Sequence, residues 1–215
     1  MADAADITLH AFDLDAWPLR PELLSTVEAE RVARKARETL RRRQAASFCA
    51  LRVHLGRHLD RDPAGLAFVV DEHGKPHLAG PGQVHFNLSH SGPLGLLAIA
   101  PFAVGVDVER LIRRPDERLA REILHPRELE HWLGLDAALR QAALTRAWSR
   151  KEAVLKAVGT GIRVPPASVE VGLGRDPADP VAVDAVAVPG HGSWGVRAVD
   201  TAPEARAAVA WRLST

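Results

Sequence analysis

At 215 residues, with 47% hydrophobic and 26% charged content, the chain has ordinary globular composition, enough for one large domain or two small ones. A formal net charge of +1 excludes whole-molecule steering as an argument about partners. The single cysteine, Cys49, excludes an intrachain disulfide and fits a reducing compartment.

The acidic start, Met1 to Asp6, lacks the basic-then-apolar pattern of a secretory leader. Residues 7–12 predict a short strand. Residues 21–59 predict helix, because Ala, Leu and Arg dominate and apolar positions recur at helical spacing. Ten Lys or Arg lie between Arg31 and Arg61 against two acids, Glu38 and Asp60. Such a run is either a solvated helix face or an anion site or docking face for an acidic partner.

Residues 66–70 predict a strand and 71–76 a turn, since Gly74 is free to take positive φ and Pro76 does not extend a helix. Residues 84–88 and 94–100 predict strands flanking a turn at 89–93, and 104–109 another strand. The longest apolar run, 94–108, is broken by Pro101 and too short to span a bilayer, so no membrane contact and a cytoplasmic location are expected. Residues 115–124 and 126–133 predict short helices, each with proline in the tolerated first turn. Residues 136–158 predict one long helix ending at Gly159 as its C-cap. Strands are expected at 169–173, 181–188, 194–199 and 207–213, punctuated by Pro177, Pro180, Pro189, Gly190 and Gly192. Helices followed by antiparallel-style strands in each half argue for an α+β fold rather than a parallel doubly wound sheet. The expected division is 1–103 and 104–215.

Asp107 and Glu109 are two apart in a β-branched run and share one strand face. Acids there sit either on a solvated edge or, following so apolar a stretch, inside, where they need a cation or a hydrogen-bond network. Glu152 and Lys156 are four apart in a helical pattern and share a helix face. Alone, that spacing is an ordinary surface ion pair of about 0.3–0.5 kcal/mol. Together the acids and the ammonium suit a hard divalent cation and a phosphate. Lys151 is equally a surface or a structural cation. Ser89 and His90 are adjacent, an arrangement that rarely sets a nucleophile against its base; an anion clasp of hydroxyl, imidazole and turn N–H groups is the better reading, with an ordinary polar turn as its rival. Lys75 is a point-charge donor at a hairpin tip or a solvated loop lysine. The basic run has Phe48 as its single aromatic and the chain has no Tyr, which counts against nucleic-acid binding.

Asn87-Leu88-Ser89-His90-Ser91, Gly105-Val106-Asp107-Val108-Glu109 and Trp148-Ser149-Arg150-Lys151-Glu152-Ala153-Val154-Leu155-Lys156-Ala157-Val158-Gly159-Thr160-Gly161-Ile162 resemble the signature blocks of the 4′-phosphopantetheinyl transferases. Gly74-Lys75-Pro76 resembles the block preceding them, and the length and spacing are similar to those of the surfactin-synthetase-type (Sfp-type) subfamily. The resemblance implies a pseudo-dimer of two similar α+β halves with the active site in the cleft between them. It implies coenzyme A as donor, Mg²⁺ as cofactor and an apo carrier protein (acyl, polyketide or peptidyl) as acceptor, in a chain that is commonly monomeric. By position, Asp107, Glu109 and Glu152 match the metal ligands, and Lys156 matches a lysine that contacts the phosphates and takes part in proton movement. Lys75, Pro76, Ser89 and His90 match coenzyme A contacts, and Arg31 matches a basic residue near the 3′-phosphate. Asp107, Glu152 and Lys156 are thereby the expected catalytic group. The chain departs from the pattern at Arg37-Glu38-Thr39-Leu40, where an aromatic residue is common, and at Glu28 and Gln44, which replace nucleotide contacts of some relatives. The rival activities are a Mg²⁺-dependent hydrolase of a nucleotide pyrophosphate and a non-catalytic coenzyme A-binding module.

Overall fold

A computed structural model describes residues 4–72, 74–80, 84–159, 163–173 and 184–213. The fold is α+β with antiparallel sheets. Strand β1 (Thr8–Asp13) precedes helices α1 (Thr26–Ala33) and α2 (Glu38–Leu59). The hairpin β2 (Phe68–Val70) and β3 (Pro76–Leu78) follows, then β4 (His85–Ser91), β5 (Leu94–Ala100) and β6 (Val104–Arg110). Helices α3 (Glu117–Ile123), α4 (Pro126–Leu133) and α5 (Ala137–Val158) lead to β7 (Asp184–Val188), β8 (Gly192–Val199) and β9 (Ala205–Arg212). One sheet has the order β1-β5-β4, a second β6-β9-β8-β7, and β2-β3 stands as a ribbon.

Burial follows from strand alternation. Leu97 and Ile99 of β5 and Phe86 of β4 pack on Leu51 and Leu55 of α2. The opposite β5 face, Leu96, Ala98 and Ala100, packs on Val104, Val106 and Val108 of β6 and on Ala207, Val209 and Trp211 of β9. Ala208 and Ala210 of β9 turn outward onto Ala153, Val154 and Ala157 of α5. The layers are therefore α2, first sheet, second sheet, α5. Gly105, whose register partner is Ala210, lies on the α5 face, and a Cβ there would stand 2.1 Å from Ala153 O and 2.4 Å from Ala157 N. Both neighbours are backbone atoms of a buried helix and have nowhere to move. Gly105→Ala is expected to cost at least the ~1–3 kcal/mol typical of overpacking, read as a lowered urea midpoint at unchanged m; a midpoint equal to wild type would mean that α5 does not press on β6.

Several expected elements take a different form. The helix expected over 21–59 is broken. α1 starts in a capping box between Ser25 and Glu28 and ends at Arg34, and α2 begins after Arg37. No Pro or Gly marks the break; buried Glu28 pairs with Arg52 of α2 at 2.8 Å, which folds α1 back along α2. Arg41 then donates to the carbonyls of Lys35 and Ala36 at the break. β4 runs on through Ser89, His90 and Ser91, so those residues lie in a strand and the turn is confined to Gly92 and Pro93. Pro126 is the first residue of α4, as expected, whereas Pro115 precedes the Asp116 N-cap of α3 and lies outside the helix. α5 ends as expected, with Gly159 at φ +82°.

The strand expected at 169–173 does not form. Val169, Val171 and Leu173 are buried alternately with exposed neighbours, as in a strand, yet the backbone partners are side chains. Arg150 donates to Val171 O, Lys151 donates to Val169 O, and Val171 N and Gly172 N donate to Glu128 at 2.7 and 2.8 Å. The periodicity is that of a strand because one side faces the core; the ladder is replaced by a buried charged cluster. Of the expected strand at 181–188, residues 184–188 are β7 and 181–183 lie outside the described residues, as do Pro177 and Pro180.

Candidate active site

The α5 face of β6 carries Gly105, Asp107 and Glu109, and the Gly105 contact brings Glu152 and Lys156 of α5 beside them. Asp107 is 1% exposed, and its Oδ1 accepts from Lys156 Nζ at 2.5 Å and from Ser89 Oγ at 2.8 Å. Its other oxygen, Oδ2, is buried without a hydrogen-bond partner among the described residues. Lys156 Nζ also reaches Ser89 Oγ at 3.2 Å and stands 4.0 Å from Glu152 Oε2. Glu109 Oε2 accepts from Ser91 Oγ at 2.8 Å, and Trp148 lies close enough to lower the pKa of the same carboxylate slightly. Burial raises the pKa of Glu152; Lys156 opposes this, and Asp107 and Glu109 add to it. Burial likewise raises Glu109, followed by repulsion from Asp107.

Among the described residues no three His, Cys, Asp or Glu groups stand together as a formed metal cage. The three acids meet at one interface, but the Lys156 ammonium lies against Asp107 and near Glu152, and like-charged carboxylates relax around a cation placed there. The donor chemistry nonetheless fits a hard divalent ion: every candidate ligand is a carboxylate, and a buried anionic oxygen with a free lone pair calls for a cation or a donor.

Lys156, Glu152 and Asn87 line a cleft of about 380 Å³ together with Lys75, Pro76 and Trp148. The position of Lys75 differs from that of a point charge at a free hairpin tip. Its Nζ donates to Lys156 O at 2.6 Å and to Val104 O at 3.4 Å, tying the ribbon to the last turn of α5 and to β6. Burial lowers its pKa, with Asp71 opposing. Ser89 and His90 do not face one ligand side by side. They alternate along β4, with Ser89 toward Asp107 and His90 on the face that carries Phe86 toward α2. The His90 pKa is lowered by partial burial first and then by Lys156, Lys35 and Arg43. Those cations, rather than Arg31, are the ones His90 feels. Arg31 stands on α1 with its guanidinium 5.5 Å from the centre of the Phe48 ring.

Four of the ten cations in the basic run have ion-pair partners among the described residues. Arg52 pairs with Glu28, Arg43 with Asp15, Arg41 with Glu38 and Arg34 with Glu30. Glu28 is thus an interior counter-ion, and Gln44 donates to Ser47 Oγ. Two residues of the long block also point inward: Lys151 is fully buried against Glu128 at 2.7 Å, and Arg150 pairs with Asp184. Sequence reasoning passed over Ser91 as the partner of Glu109. The alternation of Asn87, Ser89 and Ser91 on one strand face was a signal that could have found Ser91.

Comparison with known proteins bears on the same residues. A sequence model of the 4′-phosphopantetheinyl transferase superfamily matches residues 103–194. Similarity extends to the 4′-phosphopantetheinyl transferase HetI of Nostoc sp., 35% identical over 173 residues that cover 73% of this chain and 73% of that protein. A 4′-phosphopantetheinyl transferase of Bacillus subtilis is 32% identical over 116 residues, 54% of this chain and 51% of that protein. AcpT of Salmonella typhimurium, also named a 4′-phosphopantetheinyl transferase, is 36% identical over 116 residues, 53% of this chain and 59% of its own length. The matched part is about half the length of the latter two relatives.

Proposed function

Because the chain belongs to the 4′-phosphopantetheinyl transferases of the Sfp type, we propose that it moves the phosphopantetheine arm of coenzyme A onto a serine hydroxyl of an apo carrier protein and releases 3′,5′-ADP. The observation that carries this reading is the meeting of Asp107 and Glu109 with Glu152 and Lys156 at the Gly105 contact, beside a cleft and with one buried carboxylate oxygen free. In this reading residues 1–103 and 104–215 are the two halves of a pseudo-dimer, and the substrates meet in the cleft between them. The facing of the first sheet on the second, each with its own long helix outside, supports that division. The protein acts as a cytoplasmic monomer. Among the described residues no helix is long and apolar enough to cross a membrane, and the lone cysteine suits a reducing compartment.

Asp107, Glu109 and Glu152 would hold Mg²⁺, which when bound offsets their mutual repulsion and polarises the scissile phosphoanhydride. The carrier serine oxygen forms a bond to the β-phosphorus of coenzyme A as the bond from that phosphorus to the 3′,5′-ADP oxygen breaks. Glu152, directly or through a water, takes the serine proton. Lys156 supplies positive charge to the phosphates as negative charge develops on the leaving group. Lys75 and Pro76 line the coenzyme's side of the cleft, Ser89 bears on it through its bonds to Asp107 and Lys156, and His90 with nearby Lys35 and Arg43 offers cationic and hydrogen-bonding groups for the 3′-phosphate. Arg31 is the more remote member of that basic face.

Intact-mass measurement of several apo carrier proteins after incubation with the enzyme, coenzyme A and Mg²⁺ tests the proposal. The expected result is a gain of one phosphopantetheine arm on at least one carrier, with none when that carrier's acceptor serine is changed to alanine. Release of 3′,5′-ADP without any acceptor would instead identify a hydrolase, and neither product would leave a coenzyme-binding module.

A further inference from the structure

Among the described residues the second sheet leaves one edge of β6 without a strand partner, and β4 supplies that edge with side chains. Asn87 Oδ1 accepts from Val106 N at 2.9 Å, Ser89 Oγ from Val108 N at 3.4 Å, and Ser91 Oγ from Arg110 N at 3.1 Å. Each pair is separated by 19 residues, so β4 and β6 run in the same direction and the contacts form a ladder with a two-residue repeat. The residue type at each rung follows what precedes the amide it meets. Before Val106 stands Gly105, which has no side chain, and the rung is an acceptor amide, Asn87. Before Val108 and Arg110 stand Asp107 and Glu109, and those rungs are hydroxyls.

A serine hydroxyl has one hydrogen and two lone pairs. The backbone amide is a donor, so at Ser91 the hydroxyl hydrogen is free for the carboxylate, and it is given to Glu109 Oε2 at 2.8 Å. Ser89 does the same for Asp107 Oδ1. The amide thus fixes the hydroxyl rotor, and the rotor fixes the acid. We propose that Ser91, which accepts from Arg110 N and donates to Glu109, is a positioning residue that holds Glu109 in one rotamer for a divalent cation. The inference rests on the metal assignment made above for Asp107, Glu109 and Glu152. Ser91 acts through Glu109 and needs no contact with substrate. A ligand carboxylate held by an outer hydrogen bond loses roughly 10- to 100-fold in metal affinity when that bond is removed.

The test uses Mn²⁺ as the probe metal and the full chain alone, with neither coenzyme A nor carrier, and follows free Mn²⁺ by electron paramagnetic resonance. Ser91→Ala is expected to weaken Mn²⁺ binding about tenfold or more. Ser91→Thr, which keeps the hydroxyl on a strand that tolerates β-branching, is expected to stay within about twofold of wild type. Asp107→Asn serves as the control that the measured ion occupies this site. Equal Mn²⁺ affinity for Ser91→Ala and wild type would overturn the role of Ser91 alone. Weakening by Ser91→Thr as large as that by Ser91→Ala would also overturn it, by showing that packing rather than the hydroxyl matters. Failure of the wild-type chain to bind Mn²⁺ would overturn the metal assignment and this inference with it.

Discussion

Asp107→Asn is expected to lower kcat/KM by roughly a thousandfold or more, because a ligand charge worth several kcal/mol in the transition state is removed at nearly constant volume. The side chain accepts from Ser89 and Lys156 on Oδ1, and its Oδ2 is buried with no partner among the described residues. An amide in its place keeps an acceptor for those donors but carries no charge. The fold should survive. Removing one of several mutually repelling acids relieves Glu109 and Glu152, both of which feel the Asp107 charge. Steady-state transfer assays at saturating Mg²⁺, run beside a thermal melt, separate the two effects. A variant within tenfold of wild type would remove Asp107 from the metal site, and a variant that loses its melting transition would make Asp107 a structural residue.

Lys151→Met should be the most damaging single change outside the site, at about 3–5 kcal/mol, the usual cost of breaking a buried pair from one side. Lys151 is fully buried and pairs with Glu128 at 2.7 Å, and it donates to Pro166 O and Val169 O. Burial lowers its pKa, and Glu128 pulls the other way. With Lys151 gone, Glu128 keeps the N–H donors of His125, Val171 and Gly172 but loses its counter-ion. Adding Glu128→Gln should therefore recover part of the loss in urea denaturation, a coupling that a double-mutant cycle reads directly. Stability of Lys151→Met within about 1 kcal/mol of wild type would show that the ammonium reaches water.

Lys151 and Glu152 stand in the same sequence context and end in opposite environments. They are neighbours, and adjacent positions on a helix point about 100° apart. One enters the packed cluster with Glu128 and the 166–173 segment, and the other faces the cleft. The block was legible as a unit, and the resemblance singled out Glu152 and Lys156 within it; whether Lys151 lies at the surface or inside was not legible, because that depends on what packs on each side of α5. The same limit applies to the basic run. Its count was visible, whereas its partners Asp15 and Glu28 lie outside it: Asp15 reaches Arg43 from the turn after β1, and Glu28 reaches Arg52 because α1 folds back on α2. The strand expected at 169–173 shows the converse: its alternation correctly marked burial, but alternation says nothing of whether the backbone partner is another strand or a side chain.

By itself the sequence determined the α+β class, the long α5 with its glycine cap, and the facts that Asp107 shares a strand face with Glu109 and Glu152 a helix face with Lys156. Those follow from repeats of two and 3.6 residues, which are properties of neighbouring residues along one element. Tertiary structure alone decided that the two faces are the same place. Lys156 could have paired with Glu152 four residues away; it instead approaches Asp107 at 2.5 Å, across 49 residues, and leaves Glu152 at 4.0 Å. The cause is Gly105, whose missing side chain lets α5 press on β6 and draws a helix ammonium onto a buried strand carboxylate, where attraction is stronger than at the helix surface.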